Sequence, residues 1–373
     1  MENMGLMKQK LFKDIYRGKK VLITGDTGFK GSWLAIWLLE MGADVFGYAL
    51  PPKTNQDNFV TTGLASKITH EDGDIRDLDH FSNFFNKVKP DIAFHLAAQP
   101  LVLESYEDPV TTFSTNLMGT ANFFEAVRKS DSVKAAINIT SDKCYKNNEW
   151  VWGYRESDPM GGNDPYSASK GASEIITASY LNSFFSKKGT SNIASVRAGN
   201  VIGGGDWAEN RIVPDFFRAV QKNEHLEIRY PEATRPWQHV LEPLSGYLLL
   251  GAKLFSEGKS FSGGCNFGPL GDAHHTVENL INKMIQEYGR GSYQTMGDQE
   301  KLHEAHLLKL DISKAIHYLK WNPALNFDET VKFTVQGYKD ELESGNVYES
   351  RVRQIRSYVK LSLKRNYYLK TED

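Results

Sequence analysis

Val21-Leu22-Ile23-Thr24-Gly25-Asp26-Thr27-Gly28-Phe29-Lys30-Gly31 sets a short apolar run against a loop carrying three glycines. The periodic apolar stretch Trp33-Leu34-Ile36-Trp37-Leu38 follows it. Strand, tight turn, helix is the order that a phosphate cradle needs. Glycine permits the turn and lets backbone N–H groups at the positive end of a helix approach a pyrophosphate. Gly25, Thr27, Gly28, Phe29, Lys30 and Gly31 are therefore candidate cofactor contacts. Such a loop also occurs as an ordinary strand-to-helix turn, so the rest of the chain has to decide.

Strand-like runs at 21–24, 44–48, 92–96, 135–140 and 193–197 alternate with helical patterns as far as about residue 200. This alternation predicts an α/β fold, a Rossmann-like doubly wound parallel sheet. Beyond it, Gly203-Gly204-Gly205-Asp206-Trp207 marks a loop, and 214–220 and 243–254 read as helices of a smaller lobe. With no repeat and no Pro/Gly-rich linker, the lobes are expected to interleave. The predicted division is an N-terminal extension at 1–14, a dinucleotide-binding domain at 15–200, and a mainly substrate-binding lobe at 201–373 interleaved with the sheet.

The chain has 373 residues, 40% of them hydrophobic, enough for a large core. A net charge of -2 gives no electrostatic footprint for nucleic acid, and no apolar run approaches the ~20 residues that span a bilayer. Residues 1–20, interrupted by Lys8, Lys10, Lys13 and Asp14, do not read as a secretory signal, so a cytoplasmic protein is expected. Cys144 and Cys265 are too few for a disulfide scaffold. His95 and His239 have no clustered ligand set beside them, so they read as buried structural histidines and no metal is expected.

Two further fragments carry chemistry: Thr140-Ser141-Asp142-Lys143 at a strand end, and Tyr166-Ser167-Ala168-Ser169-Lys170 at a helix start after Asp164-Pro165. A phenol holds its proton near neutrality, so Tyr166 serves as a base only if its anion is stabilised. Lys170, four residues on and on the same helical face, is expected to lower the phenol pKa and to reach the ribose of a nicotinamide cofactor.

With the glycine loop, these fragments make the chain resemble the extended short-chain dehydrogenase/reductases, which include nucleotide-sugar epimerases and dehydratases. The resemblance implies that Ser141 binds the sugar 4-hydroxyl and that Tyr166 takes its proton as C4 gives up a hydride. A 4-ketone acidifies the C5 proton, so a base near C5 and an acid near the C6 hydroxyl can expel water. Dehydratases of this group usually carry Asp-Glu where this chain has Asp142-Lys143. With that departure, the strings Thr27 to Leu34, Trp150 to Glu156, Asp158 to Gly162 and Arg235 to Val240 resemble the CDP-glucose 4,6-dehydratases of deoxysugar biosynthesis. By that resemblance Lys143 removes the C5 proton, Asp142 protonates the departing hydroxyl, and the hydride returns to C6.

The same resemblance implies NAD as cofactor, CDP-glucose as substrate and a homodimer or dimer-based oligomer. It places Asp74 and Ile75 beside the adenine and Ala97, Ala98 and Gln99 under the nicotinamide ribose. Asn200, Arg211, Arg235 and Asn266 fall at the substrate phosphates. Arginine suits a diphosphate because its planar fork makes paired hydrogen bonds. One expected cofactor feature is missing. The acid that ordinarily binds the adenosine ribose about 20 residues past the loop has no counterpart in Ala49-Leu50-Pro51-Pro52-Lys53, and Asp44 comes too early. Lys53 admits the 2′-phosphate of NADP as the competing choice. The helical stretches 116–128 and 166–185 carry Phe123, Phe124, Ile175, Ile176 and Tyr180, more apolar surface than one core stripe needs, which points to a subunit interface or to burial within the monomer. The rival functions are a UDP-N-acetylhexosamine 4,6-dehydratase, a nucleotide-sugar 4-epimerase and a dinucleotide-sensing regulator on the same fold. The Trp-rich segment argues against the first, and the joint presence of Asp142, Lys143, Tyr166 and Lys170 against the others.

Overall fold

The computed structural model describes residues 11–187, 189–270, 275–295, 307–343 and 345–365. Of the expected N-terminal extension, residues 1–10 lie outside this set. Seven parallel strands form one sheet: β1 (Lys20–Thr24), β2 (Asp44–Ala49), β3 (Thr69–Asp72), β4 (Ile92–His95), β5 (Ala135–Ile139), β6 (Asn192–Arg197) and β7 (Gly263–Asn266). Their order is β7-β6-β5-β4-β1-β2-β3. The chain reverses direction across the sheet between β1 and β4, and the crevice beyond the carboxyl ends of those strands is where ligands bind in such folds. β4 and β5 are buried along their full length because helices cover both faces, which is why they read as continuous apolar runs. β3 and β7 lie at the edges, and their sequences, Thr-His-Glu-Asp and Gly-Gly-Cys-Asn, carry no such run.

The longer helices are α1 (Phe29–Glu40), α2 (Leu78–Val88), α3 (Gly119–Lys129), α4 (Pro165–Tyr180), α5 (Ile212–Lys222), α6 (Leu241–Glu257), α7 (Val277–Tyr288), α8 (Phe327–Glu343) and α9 (Val347–Arg365). Capping sets α4: the Ser167 N–H donates to Asp164 Oδ1 at 2.9 Å and Pro165 takes the first turn, where its missing N–H costs nothing. Trp33 and Trp37 of α1, Leu244 and Leu248 of α6 and Ile355 and Tyr358 of α9 fill one face of the sheet. Phe81, Phe84 and Phe85 of α2 with Phe123 and Phe124 of α3 fill the other. A third core joins α5, α7 and α8 around Trp207 and forms the smaller lobe.

Two expectations are corrected here. The helix at 243–254 does not belong to the smaller lobe: α6 is apolar on most sides and lies on the sheet, with Gly251 close against Phe94 and Ile137. Phe123 and Phe124 are fully buried against the sheet and offer nothing to a subunit interface. Among the described residues the exposed apolar side chains of that region include Val110, Phe113, Met118, Phe184 and, as expected, Ile175.

Glu242 of α6 ties the carboxyl-terminal part to the sheet. It is fully buried and accepts hydrogen bonds from the N–H of Ala324 (2.8 Å), the N–H of Leu325 (2.6 Å) and the hydroxyl of Tyr358 (2.8 Å). Glu242→Ala strands these donors, and we expect it to lower stability by about 3 kcal/mol, read from the midpoint of urea unfolding. An unchanged midpoint would show that the donors find other partners.

Candidate active site

The glycine loop runs from the end of β1 into α1. Gly25 adopts φ +76°, and a Cβ there would come within 2.6 Å of the Ala97 backbone nitrogen at the end of β4. A Cβ on Gly31 would overlap the Gly25 carbonyl oxygen. No side chain caps the start of α1 at Gly28. The loop therefore has the tight turn and the uncapped helix start that fit the expected pyrophosphate. Thr27 turns away and donates to the Leu50 carbonyl at 2.9 Å. Asp74 and Ile75 lie just past β3, after Gly73; Asp74 is clamped by Arg76, and Ile75 is buried against Gly119. Ala97 and Ala98 are half-buried beyond β4. The Gln99 amide is engaged inside the protein, donating to Leu101 and Thr112, so its side chain braces this segment.

The catalytic candidates come together at the ends of β5 and β6. Ser141 donates to Asp142 Oδ1 at 2.9 Å and accepts from the Lys143 N–H at 3.2 Å, folding Asp142–Cys144 into a single tight turn. The Ser141 hydroxyl also lies near enough to Tyr166 to favour its anion. Asp142 is buried, and only a glycine at 199 leaves room for its carboxylate. Lys143 is half-buried. Tyr166 and Lys170 are buried on α4.

The expected lowering of the Tyr166 pKa is not met. Burial pushes the phenol up to about 12; Ser141 and Arg211 oppose the rise, and Asp142 and Asp164 add to it. The Lys170 ammonium falls to about 8 through burial and the nearby charge of Lys30. Lys30, whose neighbours include Asp142 and Asp206, falls to about 8 through burial and Arg211. The cleft thus gathers three cationic groups, Lys30, Lys170 and Arg211.

The substrate candidates separate into two groups. Asn200 (φ +51°), Arg211 and Arg235 are each half-buried; Arg211 acts electrostatically on Lys30 and Tyr166 and pairs with Asp206 at 2.9 Å, and Arg235 lies on a two-residue strand, Thr234–Arg235. Asn266 is a correction. It is fully buried, donates to the carbonyls of Tyr154 (2.8 Å) and Asp311 (3.0 Å) and accepts from the Tyr145 hydroxyl (2.8 Å), so its side chain holds the framework and has no reach to a ligand. His95 and His239 are both buried, and burial depresses each to about 3. No cluster of potential metal ligands exists among the described residues.

Behind the turn lies a network that sequence reasoning missed. Glu174 of α4 pairs with Arg197 of β6 at 2.7 Å and accepts from Ser195 (2.6 Å) and Thr140. Arg197 in turn bonds and stacks on Tyr145, just past the turn. The available signal is spacing: Glu174 stands four residues beyond Lys170 and eight beyond Tyr166, a carboxylate on the buried face of the same helix.

The family model described as GDP-mannose 4,6 dehydratase matches residues 22–334. A CDP-glucose 4,6-dehydratase of Salmonella typhimurium is 47% identical over 351 residues, covering 93% of this chain and 98% of that protein. A UDP-glucose 4-epimerase of Thermotoga maritima solved with UDP-glucose shares the fold with a TM-score of 0.74 at 23% identity, covering 87% of this chain and 100% of that one. A dTDP-glucose 4,6-dehydratase of Bacillus anthracis solved with NAD does so at 0.71 and 19% identity, covering 87% and 98%.

Removing one partner of the Arg197–Glu174 pair leaves a charge buried without compensation. Arg197→Met and Glu174→Met are each expected to cost roughly 3–5 kcal/mol, and the double variant much less than their sum. A urea-unfolding cycle measures this, and strict additivity would contradict the coupling.

Proposed function

The chain belongs to the GDP-mannose 4,6 dehydratase family of nucleotide-sugar enzymes, and from this premise we propose that it is an NAD-dependent lyase converting CDP-glucose to CDP-4-keto-6-deoxyglucose and water. The observation that carries the choice of nucleotide and sugar is the 47% identity, along nearly its whole length, to the Salmonella typhimurium enzyme. NAD, when bound, supplies a hydride acceptor for C4 and a hydride donor for C6. The loop of Gly25, Gly28 and Gly31 would hold its pyrophosphate.

The protein's own groups handle the protons and the charge. Ser141, bonded to Asp142 and near Tyr166, orients the 4-hydroxyl, and Tyr166 accepts its proton. Lys143 takes the C5 proton once C4 is a ketone. Asp142 gives a proton to the departing C6 oxygen. Arg211 and Arg235, with Asn200, serve the diphosphate. In the balanced reaction C4 is oxidised, C6 is reduced, the C5 hydrogen and C6 hydroxyl leave as water, and C5 takes up one proton, equivalent to the one lost from the 4-hydroxyl, as the hydride reaches C6.

The same reading makes the protein a cytoplasmic homodimer. Its support is two unpaired, buried cysteines and the exposed Val110, Met118, Ile175 and Phe184 on adjoining helical segments. No helix among the described residues is long and apolar enough to cross a membrane.

Substrate deuterated at C4 is expected to give product with that deuterium at C6; loss of the label to solvent would rule out internal return. Tyr166→Phe, which removes only a hydroxyl, should abolish C4 oxidation while the folded protein persists, and oxidation at the parent rate would dismiss Tyr166 as base. Lys143→Ala and Asp142→Asn should instead slow elimination by about 10²–10⁴-fold and leave C4 oxidation running. The readout for Lys143 is solvent-deuterium exchange at C5: exchange in Lys143→Ala as fast as in the parent would assign the base elsewhere.

A further inference from the structure

The acid missing from the end of β2 has a counterpart one strand away. β2 and β3 pair in parallel with Gly47 opposite His70 and Ala49 opposite Asp72. Alternation puts His70 and Asp72 on the same face of the sheet as Gly47 and Ala49. Ala49 closes β2, where an acid for the adenosine ribose ordinarily stands. Neighbouring strands lie only about 4.8 Å apart, so a carboxylate on Asp72 reaches the space that one on residue 49 would fill, and the small Ala49 side chain leaves that space open.

Asp72 is held in place by a chain of polar contacts running back under the glycine loop. Its Oδ1 lies 3.1 Å from His70 Nε2, and His70 Nδ1 lies 2.7 Å from Asp26 Oδ2. Asp26, second residue of the loop, is fully buried against Gly47, where any side chain would displace it, and its other oxygen, Oδ1, has no hydrogen-bond partner. Burial opposes a charge on His70, but carboxylates at both ring nitrogens outweigh it and raise its pKa. The Asp72 side chain itself is 65% exposed. The trio thus has a fixed inner end and an accessible carboxylate at the strand terminus.

Resting on the assignment of NAD above, we infer that Asp72 takes the place of the missing acid: its carboxylate accepts hydrogen bonds from the adenosine ribose diol, with His70 and Asp26 as positioning residues. The same placement discriminates against NADP, whose 2′-phosphate would meet a carboxylate. Lys53, the residue that could favour that phosphate, has its ammonium 3.3 Å from Glu104.

Titration calorimetry of the full chain with NAD, NADP and the NAD analogue carrying 2′-deoxyadenosine tests this. The parent protein should bind NAD at least about 10-fold more tightly than the deoxy analogue, since a hydrogen bond to a charged group is worth that much. Asp72→Ala and Asp72→Asn should weaken NAD by about 10- to 100-fold and leave the deoxy analogue nearly unchanged, closing the gap between them. Circular dichroism should be that of the parent, because the side chain is exposed. Variants that keep the parent's preference for NAD over the deoxy analogue overturn the inference, as does an equal loss for both ligands. A parent protein that binds no NAD, or prefers NADP, would instead defeat the cofactor assignment beneath it.

Discussion

The buried ion pair between Arg197 and Glu174 is the constraint on which the site depends. The proposed chemistry is divided between two elements, the turn after β5 with Ser141, Asp142 and Lys143 and the helix α4 with Tyr166 and Lys170. Neither position follows from the other's secondary structure. Glu174 bonds Thr140 and Ser195 as well as Arg197, and Arg197 reaches Tyr145 just beyond the turn. The network therefore fastens helix, strand β6 and turn into one body from behind. Burying two charges is expensive, and such a pair adds little stability over an apolar substitute. What it provides here is a fixed distance between groups that must meet on one sugar ring.

In front of that network the cleft has the opposite character, with cationic charge that the protein only partly compensates. Lys30 and Lys170 are pushed down to about 8 by burial and by neighbouring positive charge, while Arg211 leans on Asp206. Added negative charge raises such ammonium groups back toward their ordinary values. A nucleoside diphosphate and a dinucleotide both supply it. Tyr166, pushed up to about 12, keeps its proton in the protein alone; an ammonium recharged in this way at Lys170, on the same helical face, favours its anion. The protein without ligands is thus a poor base by its own electrostatics, and the ligands complete the site.

Much of this was legible in the chain. The apolar runs of β1, β2, β4, β5 and β6 stood out because all five are flanked by strands on both sides, whereas β3 and β7 at the edges bury too little to be recognised. The catalytic fragments were legible because their spacing maps onto one turn and one helical face. Composition misled where burial had the last word: Asn266 belongs to the framework, Phe123 and Phe124 to the core, and α6 to the sheet. Glu174 and Arg197 lie 23 residues apart and meet only through topology. Asp72 escaped notice because the ribose rule counts along the chain, whereas β2 and β3 place their ends side by side.

Incubating the protein with CDP-glucose and, separately, with the matching UDP-, dTDP- and GDP-sugars, and identifying products by nuclear magnetic resonance, tests the central claim most directly. The account predicts a 4-keto-6-deoxy sugar from CDP-glucose with no net consumption of NAD, and far slower turnover of the other nucleotides. A C4 epimer as product, or faster dehydration of a UDP-N-acetylhexosamine, would contradict it.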